Sequence, residues 1–177
     1  MFIYDKKLQY PVKIARPNPR LASLIISQYG GPDGELGASL RYLSQRYSMP
    51  FDELKGLLTD IGTEELGHLE MIGAIVHQLT RNMKDEQYRD PAFAPYFVDH
   101  TAGVYPTSAS GFPWSASSMQ VKGDPIADLA EDLGADATTL QSQLLKIPVN
   151  FNRNFLRFWI TTIDYNVINQ DINDLAS

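Results

Sequence analysis

Apolar positions recur at helical spacing through most of the chain. The clearest stripe runs Leu54, Leu57 and Leu58, Ile61, then Ile72, Ile75 and Val76, and Leu79. This i, i+3, i+4 pattern predicts a core-facing helix from Phe51 to about Arg81. Two positions in the stripe where leucine would be expected hold ionisable groups instead, Glu65 and His68. A first helix is predicted from about Asn18 to Gln28, after an arm of residues 1–17 in which Tyr10-Pro11 and Arg16-Pro17 oppose helix. Gly30-Gly31-Pro32-Asp33-Gly34 breaks that helix, and a second starts near Glu35 and carries Leu36, Leu40, Leu43 and Tyr47. Pro50 fits the first position of the long helix, with Asp52 and Glu53 in its first turn, where the helix dipole favours acids.

Residues 83–123 interrupt the helical pattern with Pro91, Pro95, Pro106 and Pro113 and scattered aromatics such as Tyr96, Phe97, Tyr105 and Trp114. A connection this long is uncommon in a compact domain, and it reads as a crossover draped over a bundle. Asp124 and Pro125 then cap and open a further helix, from Ile126 to about Lys146, ended by Pro148. From about Leu133 the composition shifts. Residues 150–177 are rich in asparagine and β-branched residues, yet Leu156, Trp159, Ile160, Ile163 and Val167 keep a helical period. Residues 134–177 therefore read as a divergent tail, replaced or frame-shifted, on a single domain of 177 residues.

Composition narrows the chemistry. At 44% hydrophobic and 20% charged residues the chain is an ordered globular type. A net charge of −6 with no Lys/Arg-rich stretch argues against nucleic acid. The absence of cysteine excludes disulfides, thiolate metal sites and cysteine nucleophiles. No apolar run approaches the roughly 18 residues of a membrane span, and the N-terminus lacks a signal-peptide core. The default expectation is an intracellular protein.

A carboxylate facing a core needs compensation. For Glu65 and His68 two readings stand side by side. One is a satisfied core histidine beside a glutamate that reaches solvent. The other is a metal ion, because Glu-x-x-His on an inward helix face is a di-metal bundle motif. Glu35 is either a first-turn glutamate favoured by the dipole or a carboxylate ligand from the neighbouring helix, with Tyr42 two turns on as a hydroxyl donor behind it. His77 falls on the opposite helix face and His100 in the crossover, and both read as ordinary histidines. The glycine run lacks the Lys-Ser/Thr of a phosphate loop, and no Gly-x-Ser-x-Gly occurs.

Several segments together resemble the manganese catalases, most closely the branch of that family found in the spore coat. They are Lys7-Leu-Gln-Tyr-Pro-Val-Lys13, Gln28-Tyr-Gly-Gly-Pro-Asp-Gly-Glu-Leu36, Leu40-Arg-Tyr-Leu43, Gly56-Leu-Leu-Thr-Asp-Ile-Gly-Thr-Glu-Glu65 and Lys122-Gly-Asp-Pro-Ile-Ala-Asp-Leu129. The resemblance covers about residues 1–133. It implies an all-α, ferritin-like four-helix bundle with an extended N-terminal arm and a long crossover loop. It also implies two manganese ions and the disproportionation of hydrogen peroxide. Glu35, Glu65 and His68 match ligands of the first two core helices. The third-helix ligand falls at Asp136, with Leu140 where the family has arginine. A second Glu-x-x-His cannot follow, because the last glutamate is Glu131 and the last histidine His100. The matching positions fall at Ile163 and Asn166. Carboxylate and imidazole donors suit manganese, with iron also possible. The resemblance further implies a homo-oligomer located in the spore coat with other coat proteins as partners. Beside the enzyme stand two other readings, a non-catalytic structural coat component and a bundle that sequesters manganese or iron.

Overall fold

A computed structural model describes residues 5–8, 10–30, 34–89 and 119–144, with the side chains at 24, 27, 85, 88 and 135–144 left out of the description. Among the described residues every regular element is helical. They are α1 (Pro19–Ile25), α2 (Glu35–Gln45), α3 (Asp52–Thr80), the short α4 (Asp85–Tyr88) and α5 (Pro125–Leu144). The expected elements at 90–118 and 145–177, with His100, Ile163 and Asn166, lie outside the described residues.

Local chemistry sets most of the boundaries. The Asn18 side chain accepts from the Leu21 amide at 3.1 Å, Pro19 opens α1, and Ile26–Gln28 continues it as a 3-10 turn. The expected helix over Asn18 to Gln28 is thus present, with a tightened last turn. Helix α3 runs within one residue of the expected Phe51 to Arg81 at each end. Phe51 is the extended N-cap, and Asp52 and Glu53 occupy the first turn, where free amides face them. The helix ends where Asn82 turns left-handed at φ 66°. Asp124 caps α5 by accepting from the amides of Ile126 (3.0 Å) and Ala127 (3.2 Å), with Pro125 at the first position.

Two apolar clusters hold these elements together. Leu21, Ala22, Ile25 and Ile26 of α1 and its 3-10 turn pack on Ile72, Ile75, Val76 and Leu79 of α3. Full burial of each large aliphatic is worth about 1.5–3 kcal/mol. The N-terminal arm lies along the same end of α3. The Gln78 side chain donates to the Val12 carbonyl (2.9 Å) and accepts from the Ile14 amide (2.8 Å), as a neighbouring strand would. Arg81 donates to the carbonyls of Ile14 and Ala15. The second cluster joins three helices, with Tyr42 from α2, Leu54 and Leu58 from α3, Leu129 from α5, and Met49 between α2 and α3.

Helices α2 and α3 approach closely. A Cβ on Gly62 would come within 2.8 Å of Leu43 Cγ and 3.2 Å of Tyr42 Cβ, and the Ser39 hydroxyl donates to the Gly62 carbonyl at 2.6 Å. The buried face of α2 is largely polar, made of Glu35, Gly37, Ser39, Arg41, Tyr42 and Gln45. Leu40 and Tyr47, from the apolar set seen in the sequence, are exposed. In α3 the expected stripe is buried at Leu54, Leu58, His68, Ile72, Ile75, Val76 and Leu79, joined by Gly62, Met71 and Thr80. Leu57, Ile61 and Glu65 are half-buried, and His77 is exposed as expected.

Helix α5 is fixed by buried acids that hydrophobic spacing does not reveal. Asp128 is fully buried and accepts from the amides of Lys122 (2.8 Å) and Gly123 (3.1 Å). Gly123 sits at φ +78°, a conformation that glycine adopts without penalty. One turn on, Asp132 Oδ1 accepts from Gln45 Nε2 at 3.1 Å, and the same nitrogen donates to the Gln120 carbonyl at 3.1 Å. Among the described residues no helix is long and apolar enough to cross a membrane.

Candidate metal centre

Glu35 is the first residue of α2, and the turn before it explains how it enters the interior. A Cβ on Gly34 would stand 2.5 Å from the Gly30 carbonyl oxygen and 2.9 Å from Gly30 N, which no backbone tolerates. Only glycine lets the chain fold back this tightly, and the fold-back turns Glu35 inward, where it is buried. Glu65 and His68 come from the middle of α3, one turn apart on the face that meets α2.

The three side chains converge. Glu65 Oε2 lies 2.6 Å from His68 Nδ1, and Glu35 Oε2 lies 3.9 Å from the same nitrogen. One donor atom from each residue falls within 4.8 Å of the others. The His68 side chain is 4% exposed and that of Glu65 14%, so solvent does little to stabilise the charges. Burial by itself would raise the Glu65 carboxyl. Hydrogen bonds from His68 and Glu35, together with the charge of His68, outweigh it and hold Glu65 below the ordinary glutamate value. On the other side of the imidazole, Glu64 Oε1 stands 3.9 Å from His68 Nε2.

This donor set fits a divalent transition metal. Ligands about 2.1 Å from one ion stand roughly 3 to 4 Å apart. The 3.9 Å separation falls inside that range, and the 2.6 Å one is a hydrogen-bond distance just short of it. Two carboxylates and an imidazole without thiolate suit manganese or iron. Three protein donors leave coordination positions open for water or substrate.

Of the residues singled out from the sequence, Glu35, Glu65 and His68 are brought together. Tyr42 lies two turns along α2, buried in the cluster with Met49, Leu54, Leu58 and Leu129. Asp136 is in α5, one turn beyond Asp132, and its side chain lies outside the described residues, as does that of Leu140. Sequence reasoning missed Glu64, although its i, i+4 spacing to His68 was the available signal.

The family model for manganese containing catalase matches residues 1–147, which reaches past Leu133 and includes Asp136. The chain is 54% identical over 136 residues to Protein CotJC of Bacillus subtilis, covering 77% of this chain and 71% of that protein. It is 36% identical over 140 residues to a probable manganese catalase of Clostridium acetobutylicum, covering 77% of this chain and 61% of the relative. Against the manganese catalase of Bacillus subtilis it is 32% identical, and spans 55% of that protein's length. Its structure superposes on the crystal structure of wild-type KatB, a manganese catalase from Anabaena, with TM-score 0.83 and 27% identity, covering 99% of this chain and 81% of the other.

Proposed function

Since this chain belongs to the manganese catalase family and shares its ferritin-like helical architecture, we propose that it holds manganese at Glu35, Glu65 and His68 and disproportionates hydrogen peroxide there. The observation that carries this reading is the convergence of those three donors between α2 and α3. In the reaction two peroxide molecules give two waters and one dioxygen, one peroxide losing two electrons and the other gaining them. Manganese, when bound, supplies the relay for those electrons. The protein's part is to hold and orient it. Glu35 and Glu65 supply negative charge from two different helices, and His68 supplies a neutral donor. Burial keeps bulk water from competing for the open positions. We assign Asp136 as a further ligand, supported by its place one turn beyond the buried Asp132 on a helix already packed against α2 and α3.

A second reading is favoured by one comparison. Identity to CotJC is 54%, against 36% and 32% to the catalases. On this reading the chain is a structural component of the spore coat that keeps the bundle, assembled with further copies of itself and with other coat proteins. Measuring metal per chain after expression with manganese and iron supplied, together with oxygen evolution from peroxide, separates the two. About two manganese ions per chain with oxygen evolution is the expected result. Bound metal without oxygen favours the structural component, and protein free of metal overturns the centre itself.

A further inference from the structure

We infer that Glu64 is a positioning residue for the metal-binding nitrogen of His68, an inference that rests on the manganese-binding reading above. The two ring nitrogens of His68 face different surroundings. Nδ1 faces the donor cluster, 2.6 Å from Glu65 Oε2 and 3.9 Å from Glu35 Oε2. Nε2 is a buried atom on the opposite side of the ring, and Glu64 Oε1 stands 3.9 Å from it. A histidine that gives Nδ1 to a metal must carry its proton on Nε2. That N–H needs an acceptor, and the partner it finds fixes both the tautomer and the plane of the ring.

Glu64 is placed for this task. It lies one turn before His68 on the same helix, and its side chain is 43% exposed, so it reaches the ring from the solvent side. A rotation that moves Oε1 by about 1 Å brings it within hydrogen-bond range. The run Glu64-Glu65-Leu66-Gly67-His68 thereby puts an acid on each side of one imidazole. Glu65 points into the cluster with Nδ1, and Glu64 serves Nε2 from the solvent side.

Manganese(II) titration of the full chain tests this, with free ion followed by electron paramagnetic resonance, in the wild type, Glu64→Gln and Glu64→Leu. The glutamine keeps an acceptor and loses the charge, and the leucine loses both. Glu64→Leu is expected to weaken binding about ten- to a hundredfold, with Glu64→Gln much closer to wild type. Nitrogen-15 spectra of the zinc(II)-loaded protein, zinc being diamagnetic, should show His68 held with its proton on Nε2 in the wild type and less well defined in Glu64→Leu. Unfolding of each metal-free variant confirms that it is folded, as the exposure of this side chain leads one to expect. Equal weakening by both substitutions would reduce the effect to net charge and overturn the positioning role, and so would wild-type affinity in Glu64→Leu. A wild type that binds no manganese would instead sink the metal centre on which the inference stands.

Discussion

Replacing His68 with leucine is expected to abolish manganese binding and to destabilise the metal-free chain by about 1–3 kcal/mol at neutral pH, the cost of leaving a buried carboxylate without its hydrogen-bond partner. The imidazole is what keeps two carboxylates tolerable in the interior. It contacts Glu65 at 2.6 Å and lies 3.9 Å from Glu35. Leucine restores the apolar stripe of α3 and leaves the two acids facing one another. The pH dependence carries the diagnosis. In the wild type the Glu65 carboxyl is held below its ordinary value of 4.5. Its contribution is therefore present above that value and is lost as the pH falls through the lowered one. In His68→Leu the groups that lower it are reduced while burial remains, so the balance turns toward the protonated acid. Stability in the variant is then lost as the pH rises. The gap between the two proteins should be wide at pH 7 and close toward pH 4. Adding Glu65→Gln to His68→Leu should recover most of the loss without restoring metal. Equal melting temperatures for wild type and His68→Leu at pH 7 would mean that His68 does not compensate these acids.

The second large effect is expected at a residue with no place in the metal centre. Asp128→Ala removes a fully buried carboxylate that accepts two backbone amides, at Lys122 and Gly123. Hydrogen bonds to a charged acceptor contribute about 1.5–3 kcal/mol each, so a net loss near 3 kcal/mol is expected. For a chain of this size that corresponds to a drop of about 6–12 °C in melting temperature. Asp128→Asn should recover only part of it, since its amide group would turn a donor toward one of two donors. Calorimetry of the metal-free protein provides the check. A fall of a degree or less would show that the turn before α5 is held by Asp124 and Pro125 alone.

The contrast between these residues shows what the sequence could reveal. Glu65 and His68 were legible because they interrupt an apolar stripe, and a misplaced polar group stands out against a periodic background. Asn18, Asp124 and Pro125 were legible because capping is local chemistry. The inward face of α2 was legible only at Glu35 and Tyr42. Its other buried polar members, Ser39, Arg41 and Gln45, were not, because a hydrophobic period cannot announce a polar face. That face becomes intelligible only through its partners, the Gly62 carbonyl for Ser39 and Asp132 for Gln45. Those contacts span 23 and 87 residues, which no local pattern encodes. The start of α3 was legible for the same local reason as the caps, since Asp52 and Glu53 face the free amides of its first turn.

The two spans also set an order of assembly. Closing the chain over 87 residues rather than 23 costs about 1.2 kcal/mol more in loop entropy. The α2–α3 hairpin is therefore expected to form before α5 docks through Gln45. Pulse-labelled amide exchange during refolding should find α2 and α3 protected first, and simultaneous protection of α5 would refute this order. Glu35, Glu65 and His68 all belong to that early hairpin. An ion captured there lends its binding energy to a folding intermediate. Metal supply during synthesis would then govern how much of the chain reaches the native state, as well as how much of it is loaded.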